Sequence, residues 1–157
     1  MSLASPPPWL AAPFLLQGIA LSVDEGWFHR RRGLPTWERI GHPLDTLSFG
    51  ICFLWLVAQP PSSSALTVFV VLAALSCLAI TKDEFVHSRL CCAAENWLHA
   101  ILFVLHPIVL GAAGWFWWSG AEGPWLTLQL AAIGGFFIWQ VGYWGPWNRK
   151  LTLSHRT

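Results

Sequence analysis

The sequence predicts an all-α integral membrane protein with five transmembrane helices. The first four should form a pseudo-two-fold pair of helical hairpins around a buried polar site. Three observations carry this. Apolar residues make up 55% of the 157-residue chain and charged residues 11%, against roughly 25% charged in an ordinary soluble domain. The apolar stretches recur at about the 20 residues a spanning helix needs. The few acids and histidines gather at one end of those stretches, in a pattern that occurs twice.

The length suits one domain, 1–157. Span one runs from about Trp9 to Arg30 and ends at Gly33-Leu34-Pro35. Span two, Thr36 to Gln59, ends at Pro60-Pro61 and a serine run. Span three, Ser64 to Arg89, is divided from span four, Cys92 to Trp118, by a short break. Gly120 to Pro124 supplies the last turn, and span five covers about 124–147, leaving a tail at 148–157. Met1 to Pro8 lacks a basic segment and a small-residue cleavage site, so no cleaved signal peptide is expected.

All nine Lys and Arg residues fall at one end of these spans, around the first and third turns and in the tail. The positive-inside rule then places the chain in a cell (inner or plasma) membrane with its N-terminus outside and its C-terminus cytoplasmic. Many of the 12 Trp flank the span ends, as an aromatic belt would. A net charge of +1 leaves no basic face for nucleic acid, and the four Cys show no zinc-finger spacing.

Seven of the eight acids and five of the six His lie toward the basic end. In span two the apolar run from Leu47 to Ala58 covers only about 18 Å of a roughly 30 Å hydrocarbon core. The helix must therefore carry Asp45, His42 and Glu38 into the membrane. His106 lies deeper still, among Leu105, Phe103 and Ile108. Ionisable groups at such depth face a bundle interior.

Helical spacing puts each set on one face. Glu25 and His29, Glu38 and His42, and Glu95 and His99 are each i, i+4, and Glu84 and His87 are i, i+3. The hairpins at about 9–59 and 64–118 repeat this order. Glu25 aligns with Glu84, His29 with His87, Glu38 with Glu95 and His42 with His99, at offsets of 59, 58, 57 and 57 residues. Spans one and three point the same way, so the repeat axis should lie along the membrane normal.

Four carboxylates converging in a low dielectric repel one another unless cations join them. Two divalent ions balance four Glu, and four neutral His complete the coordination. The expected metal ligands are thus Glu25, His29, Glu38, His42, Glu84, His87, Glu95 and His99. Asp45 and His106 are expected as catalytic groups that orient the site or handle protons. Two other readings compete. One is an ion-pair network with the nearby Arg and Lys residues. The other is haem held by two His, which gives the four Glu no role.

The design resembles the carboxylate-bridged di-iron and di-manganese sites of ferritin-like four-helix bundles, with a Glu/His pair on every helix here. It is also similar to the membrane copper site of the C subunit of particulate methane monooxygenase, an Asp-x3-His-x12-His arrangement. This chain has Glu25-x3-His29-x12-His42 and Asp83-x3-His87-x11-His99. The added Glu38 and Glu95 favour a harder metal than copper. The His boxes of membrane desaturases are absent.

The function expected is an oxygen-dependent di-iron enzyme, of hydroxylase or desaturase type, acting on a lipid or other apolar substrate. Iron is favoured over zinc or manganese, and a cytoplasmic electron donor would serve it. The alternatives are a di-zinc or di-manganese membrane hydrolase, a metal-handling or transport protein, and a subunit of an oligomeric assembly. Transport is disfavoured because the outer half of the bundle offers few polar groups.

Overall fold

The computed structural model of the protein describes residues 8–120 and 124–145. It is 91% helical, with no strand among the described residues. The expected tail, 148–157, lies outside them, as does the end of the fifth span.

Five helices follow in order. The first, α1 (Pro8–Val23), runs without a break into a π turn at Asp24–His29 and a last α turn at Arg30–Arg32. Gly33 ends it with φ 75°, a conformation that favours glycine. Pro35 then precedes α2 (Thr36–Ala58) in an extended conformation. The third helix, α3 (Ser63–Ala79), opens on the cap of Ser62, whose Oγ accepts from the Ala65 N–H at 3.2 Å. It continues through a 3₁₀ turn at Ile80–Asp83 into Glu84–Leu90. Helix α4 (Ala93–Ser119) closes on Gly120, which is left-handed at φ 66°. The last helix is α5 (Trp125–Trp144).

Four of these are long and apolar enough to cross a membrane: α2 with 23 residues, α3 through Leu90 with 28, α4 with 27 and α5 with 20. The regular part of α1 has 16 residues before the π turn begins at Asp24. Leu15, Ile19, Val70, Leu75, Leu78 and Ile138 are all more than half exposed, the outward-facing apolar surface that a bilayer covers.

α1 packs on α4, while α2 packs on α3 and α5. The apolar core fills the half of the bundle away from the Arg30–Arg32 turn, around Cys52, Phe53, Phe69, Leu110, Ala113 and Trp117. A Cβ on Gly114 would meet the Phe69 ring at 2.7 Å, so α3 and α4 meet where α4 has no side chain. The polar residues fill the other half.

Ala131 and Gly135 suggest a small-residue contact face, but both are exposed, and nothing lies within 4 Å of a Cβ built on Gly135. The close approach is made by Ile133 on Gly50 of α2 instead, at 3.3 Å from its Cβ position. Two belt tryptophans also turn inward. Trp117 donates from Nε1 to the Gln59 carbonyl at 2.7 Å, and Trp144 enters the polar half.

Candidate metal centre

The π turn decides what α1 presents to the bundle. It closes i→i+5, so Asp24 and His29, five residues apart, both face inward and are buried. On α3, Asp83 ends the 3₁₀ turn, and Asp83 and His87, four apart, are both buried. Glu84 starts the following α turn, is exposed, and belongs to none of the ligand groups. The shift of helix type places Asp83 inward where Glu84 was expected. Asp24, whose role the sequence leaves open, stands in the centre.

Four imidazoles form a closed ring of neighbours. Centroid distances are 4.7 Å from His29 to His42, 6.3 Å from His42 to His87, 4.0 Å from His87 to His99 and 6.1 Å from His99 to His29. Carboxylates surround them. His99 Nε2 donates to Asp24 Oδ1 at 3.0 Å, and Asp24 Oδ2 lies 3.4 Å from His29 Nε2. Glu95 Oε1 lies 3.8 Å from the same His29 nitrogen, and Glu38 Oε1 lies 3.8 Å from His87 Nε2.

Glu25 occupies a different position. Its Oε2 accepts from His29 Nδ1 at 3.2 Å, and its Oε1 lies 3.6 Å from His42 Nδ1. Gln140 Nε2 and Trp144 Nε1, both from α5, donate to it at 2.6 and 2.8 Å. A proton held on Nδ1 leaves the Nε2 lone pair free for a metal. Among the described residues, neither His29 Nε2 nor His42 Nε2 has a hydrogen-bond partner, and the same holds for both His87 nitrogens, His99 Nδ1 and Glu38 Oε1. Buried polar atoms are seldom left so.

These atoms fall into groups close enough to share an ion. One is Asp24, His29, Glu95 and His99, all buried; another is Glu38, His42 and His87; a third is Glu25, His29 and His42. Cys91 Sγ lies within reach of His87 and His99. Burial pushes the Cys91 thiol up to about 12, with Arg32 opposing and Glu95 adding to the rise.

Basic residues enter the site as well. Arg32 donates from Nη2 to Glu38 Oε2 at 2.7 Å and from Nε to Glu95 Oε1 at 3.0 Å. Burial opposes its charge, but Glu38 and Glu95 hold it above its ordinary value. Lys82 bridges Asp45 and Asp83 at 2.5 and 3.0 Å, and Trp37 Nε1 also donates to Asp83. With the imidazoles neutral, six carboxylates (Asp24, Glu25, Glu38, Asp45, Asp83 and Glu95) meet two basic partners, a surplus of four negative charges.

Outward of the imidazoles lies a cavity of about 300 Å³, lined at its inner end by Asp24, His42, His87 and His99. Asp45 and His106 also line it. His106 Nε2 and Ser76 Oγ are hydrogen-bonded at 3.0 Å, Ser76 bonds Ser48 in turn, and the Phe49 ring lies 4.7 Å from the imidazole.

Seven of the eight expected ligands are therefore brought together, and Glu84 is not. Asp24, Arg32, Trp144 and Gln140 join them. The chain matches no family model, no curated protein and no solved structure. The structure defines a helical protein with membrane-spanning helices and buried His/carboxylate groups able to hold metal.

Proposed function

We propose that this chain is an integral membrane metalloprotein whose polar half holds two cations, and that with iron it carries out oxygen-dependent oxidation of an apolar substrate. The observation that carries this is that two of the four overlapping ligand groups form like sets. Asp24, His29, Glu95 and His99 come from α1 and α4. Glu38, His42 and His87, with Asp83 beside them, come from α3 and α2.

Exchange of the two hairpins converts one set into the other. It also exchanges the α1–α4 packing with the α3–α2 packing. Opposite sides of the imidazole ring are similar in length, 4.7 Å against 4.0 Å and 6.3 Å against 6.1 Å, although the rings tilt differently, 69° against 32° and 74° against 51°. The π turn absorbs one of the two residues by which the first repeat is longer. These agreements support the pseudo-two-fold arrangement.

Charge supports two ions. Arg32 and Lys82 offset part of the carboxylate charge, so ion pairing accounts for Asp45 and contributes at Asp83, Glu38 and Glu95. It gives Asp24 and Glu25 no Arg or Lys partner and leaves the imidazole nitrogens unpartnered among the described residues, and two divalent ions match the remaining surplus of four. Histidine and carboxylate donors suit iron, manganese or zinc. Of these, bound iron supplies the redox chemistry that oxygen activation needs. Glu25 fixes the orientation of His29 and His42, Asp45 and His106 line the approach, and the apolar walls keep bulk water from the reacting end. All five helices cross the bilayer in this reading, with the basic end cytoplasmic and open to an electron donor.

Elemental analysis of the purified protein tests the centre. Two metal ions per chain are expected, and none would leave ion pairing as the explanation. Anaerobic reduction of the iron-loaded protein, followed by oxygen, tests the reaction. Oxygen consumption with a change in the visible spectrum is expected. If neither occurs, while zinc-loaded protein cleaves an ester, the hydrolase reading takes its place.

A further inference from the structure

The cavity outward of the histidines has features that a packed membrane core lacks. Gly18 and Ser22 of α1 and Ala132 of α5 line it, and all three are also exposed on the outer surface. The cavity therefore reaches that surface along the seam between α1 and α5. α1 packs on α4 and α5 on α2, which leaves this seam lightly packed. Its inner end is tied shut by the bonds from Gln140 and Trp144 to Glu25. Farther out, nothing lies within 4 Å of a Cβ built on Gly18. Gly18 is six residues outward of Asp24, about 9 Å along the helix. In a bilayer crossed by these helices, the medium outside the seam at that depth would be hydrocarbon.

Gln17 is the second feature. It lines the cavity, is 7% exposed, and its Oε1 is buried with no hydrogen-bond partner among the described residues. An amide carbonyl in an apolar wall costs stability unless a donor meets it. Gln17 lies one helical step beyond Gly18, about 10 Å outward of Asp24.

We infer that this cavity is a chamber for one hydrocarbon chain of a membrane lipid, entered sideways between α1 and α5, and that Gln17 selects a chain carrying a mid-chain hydroxyl. The inference rests on the proposed metal centre for what lies at the chamber's inner end. The lipid's own chain is the occupant because the mouth opens at hydrocarbon depth and its rim residues, Gly18 and Ala132, are the smallest available. The chain's hydroxyl donates to Gln17 Oε1 and satisfies it, while the near part of the chain points toward His42, His87 and His99.

The test uses the whole protein in phosphatidylcholine nanodiscs with a diazirine-bearing octadecanoate. After irradiation, adducts are mapped by mass spectrometry. Labelling is expected on the chamber wall, at Phe49, Phe103 or His106. The Gly18→Trp, Ala132→Trp double variant should lower it at least fivefold with metal content unchanged, while Gly18→Ala labels as the native protein does. Should the double variant fail to fold, Ala132→Leu alone should lower labelling in proportion. Adducts confined to the outward-facing Leu15, Ile19 and Ile138 would overturn the chamber. Displacement of the probe by an isoprenoid alcohol but by no fatty acid would overturn the choice of chain.

In competition, 10-hydroxyoctadecanoate should displace the probe at least fivefold better than octadecanoate, and Gln17→Leu should abolish that difference. Equal competition in the native protein would overturn selection by Gln17. Metal analysis on the same samples separates the two readings. Labelling of the chamber in protein that binds no metal rejects the centre and upholds the chamber; two ions without chamber labelling does the opposite.

Discussion

Asp24 Oδ1 accepts a 3.0 Å hydrogen bond from His99 Nε2, joining residues 75 apart on α1 and α4. The bond closes a group in which Asp24, His29, Glu95 and His99 share one buried space. In the proposed centre Asp24 is therefore assigned as a ligand, and Glu84, exposed on α3, is not. Asp24→Asn keeps the size of the side chain and removes its charge. It should lower bound metal from two ions per chain to one, while Glu84→Gln retains both. Elemental analysis decides, and the reverse outcome would restore Glu84 to the ligand set.

Arg32 bridges Glu38 and Glu95, which belong to different ligand groups. Removing one partner of a buried ion pair costs about 3–5 kcal/mol because the other charge remains. Arg32→Met should cost about that much in metal-free protein. It should cost much less once metal is bound, since the ions then neutralise the same acids. Unfolding in mixed micelles with and without metal measures both. An equal cost in the two states would show that Glu38 and Glu95 are remote from the ions.

The spans were legible because length and apolarity suffice to define them. The polar half was legible because Asp45, His42 and His106 stand where lipid-facing residues would have to be apolar. The choice of Glu25 as a ligand over Asp24 rested on α-helical spacing, which makes Glu25 and His29 neighbours. The π turn changes that spacing. Its trace in the sequence is the drop in repeat offset from 59 at Glu25 to 58 at His29, one extra residue between the two positions. Trp144 was hidden by its place among the belt tryptophans. The sequence offers Arg32 only as one of several basic residues able to pair with the acids, and only the tertiary fold shows that it bridges Glu38 and Glu95.

Packing in the outer half gives a prediction independent of the metal. A Cβ on Gly114 would lie 2.7 Å from the Phe69 ring, whereas one on Gly111 meets nothing within 4 Å. Overpacking a filled core costs about 1–3 kcal/mol. Gly114→Ala should lower unfolding stability by that order and Gly111→Ala should leave it unchanged. Equal effects would mean that α3 and α4 do not cross at this glycine.

Topology is tested separately. With every Lys and Arg at one end of the spans, a reporter fused after Thr157 should be active on the cytoplasmic side alone. Activity on the outer face would reverse the orientation and place the centre at the outer leaflet.

Glu25 faces the Nδ1 atoms of both His29 and His42, at 3.2 and 3.6 Å, and is itself held by Gln140 and Trp144. In the proposed centre such a carboxylate would act on the ions through the imidazoles. It fixes their tautomer, aims Nε2 into the site and raises the basicity of the ring. Loss of groups in this role typically weakens metal affinity about 10–100-fold without removing the site. Glu25→Gln should therefore still bind two ions per chain at saturation, but with affinity lower by about that factor. Trp144→Phe removes one of the donors to Glu25 and should have a smaller effect in the same direction. Competition with a chelator of known affinity gives both values. If Glu25→Gln instead binds one ion even at saturating metal, its carboxylate is a ligand in its own right, and the grouping of Glu25 with His29 and His42 is the one that holds an ion.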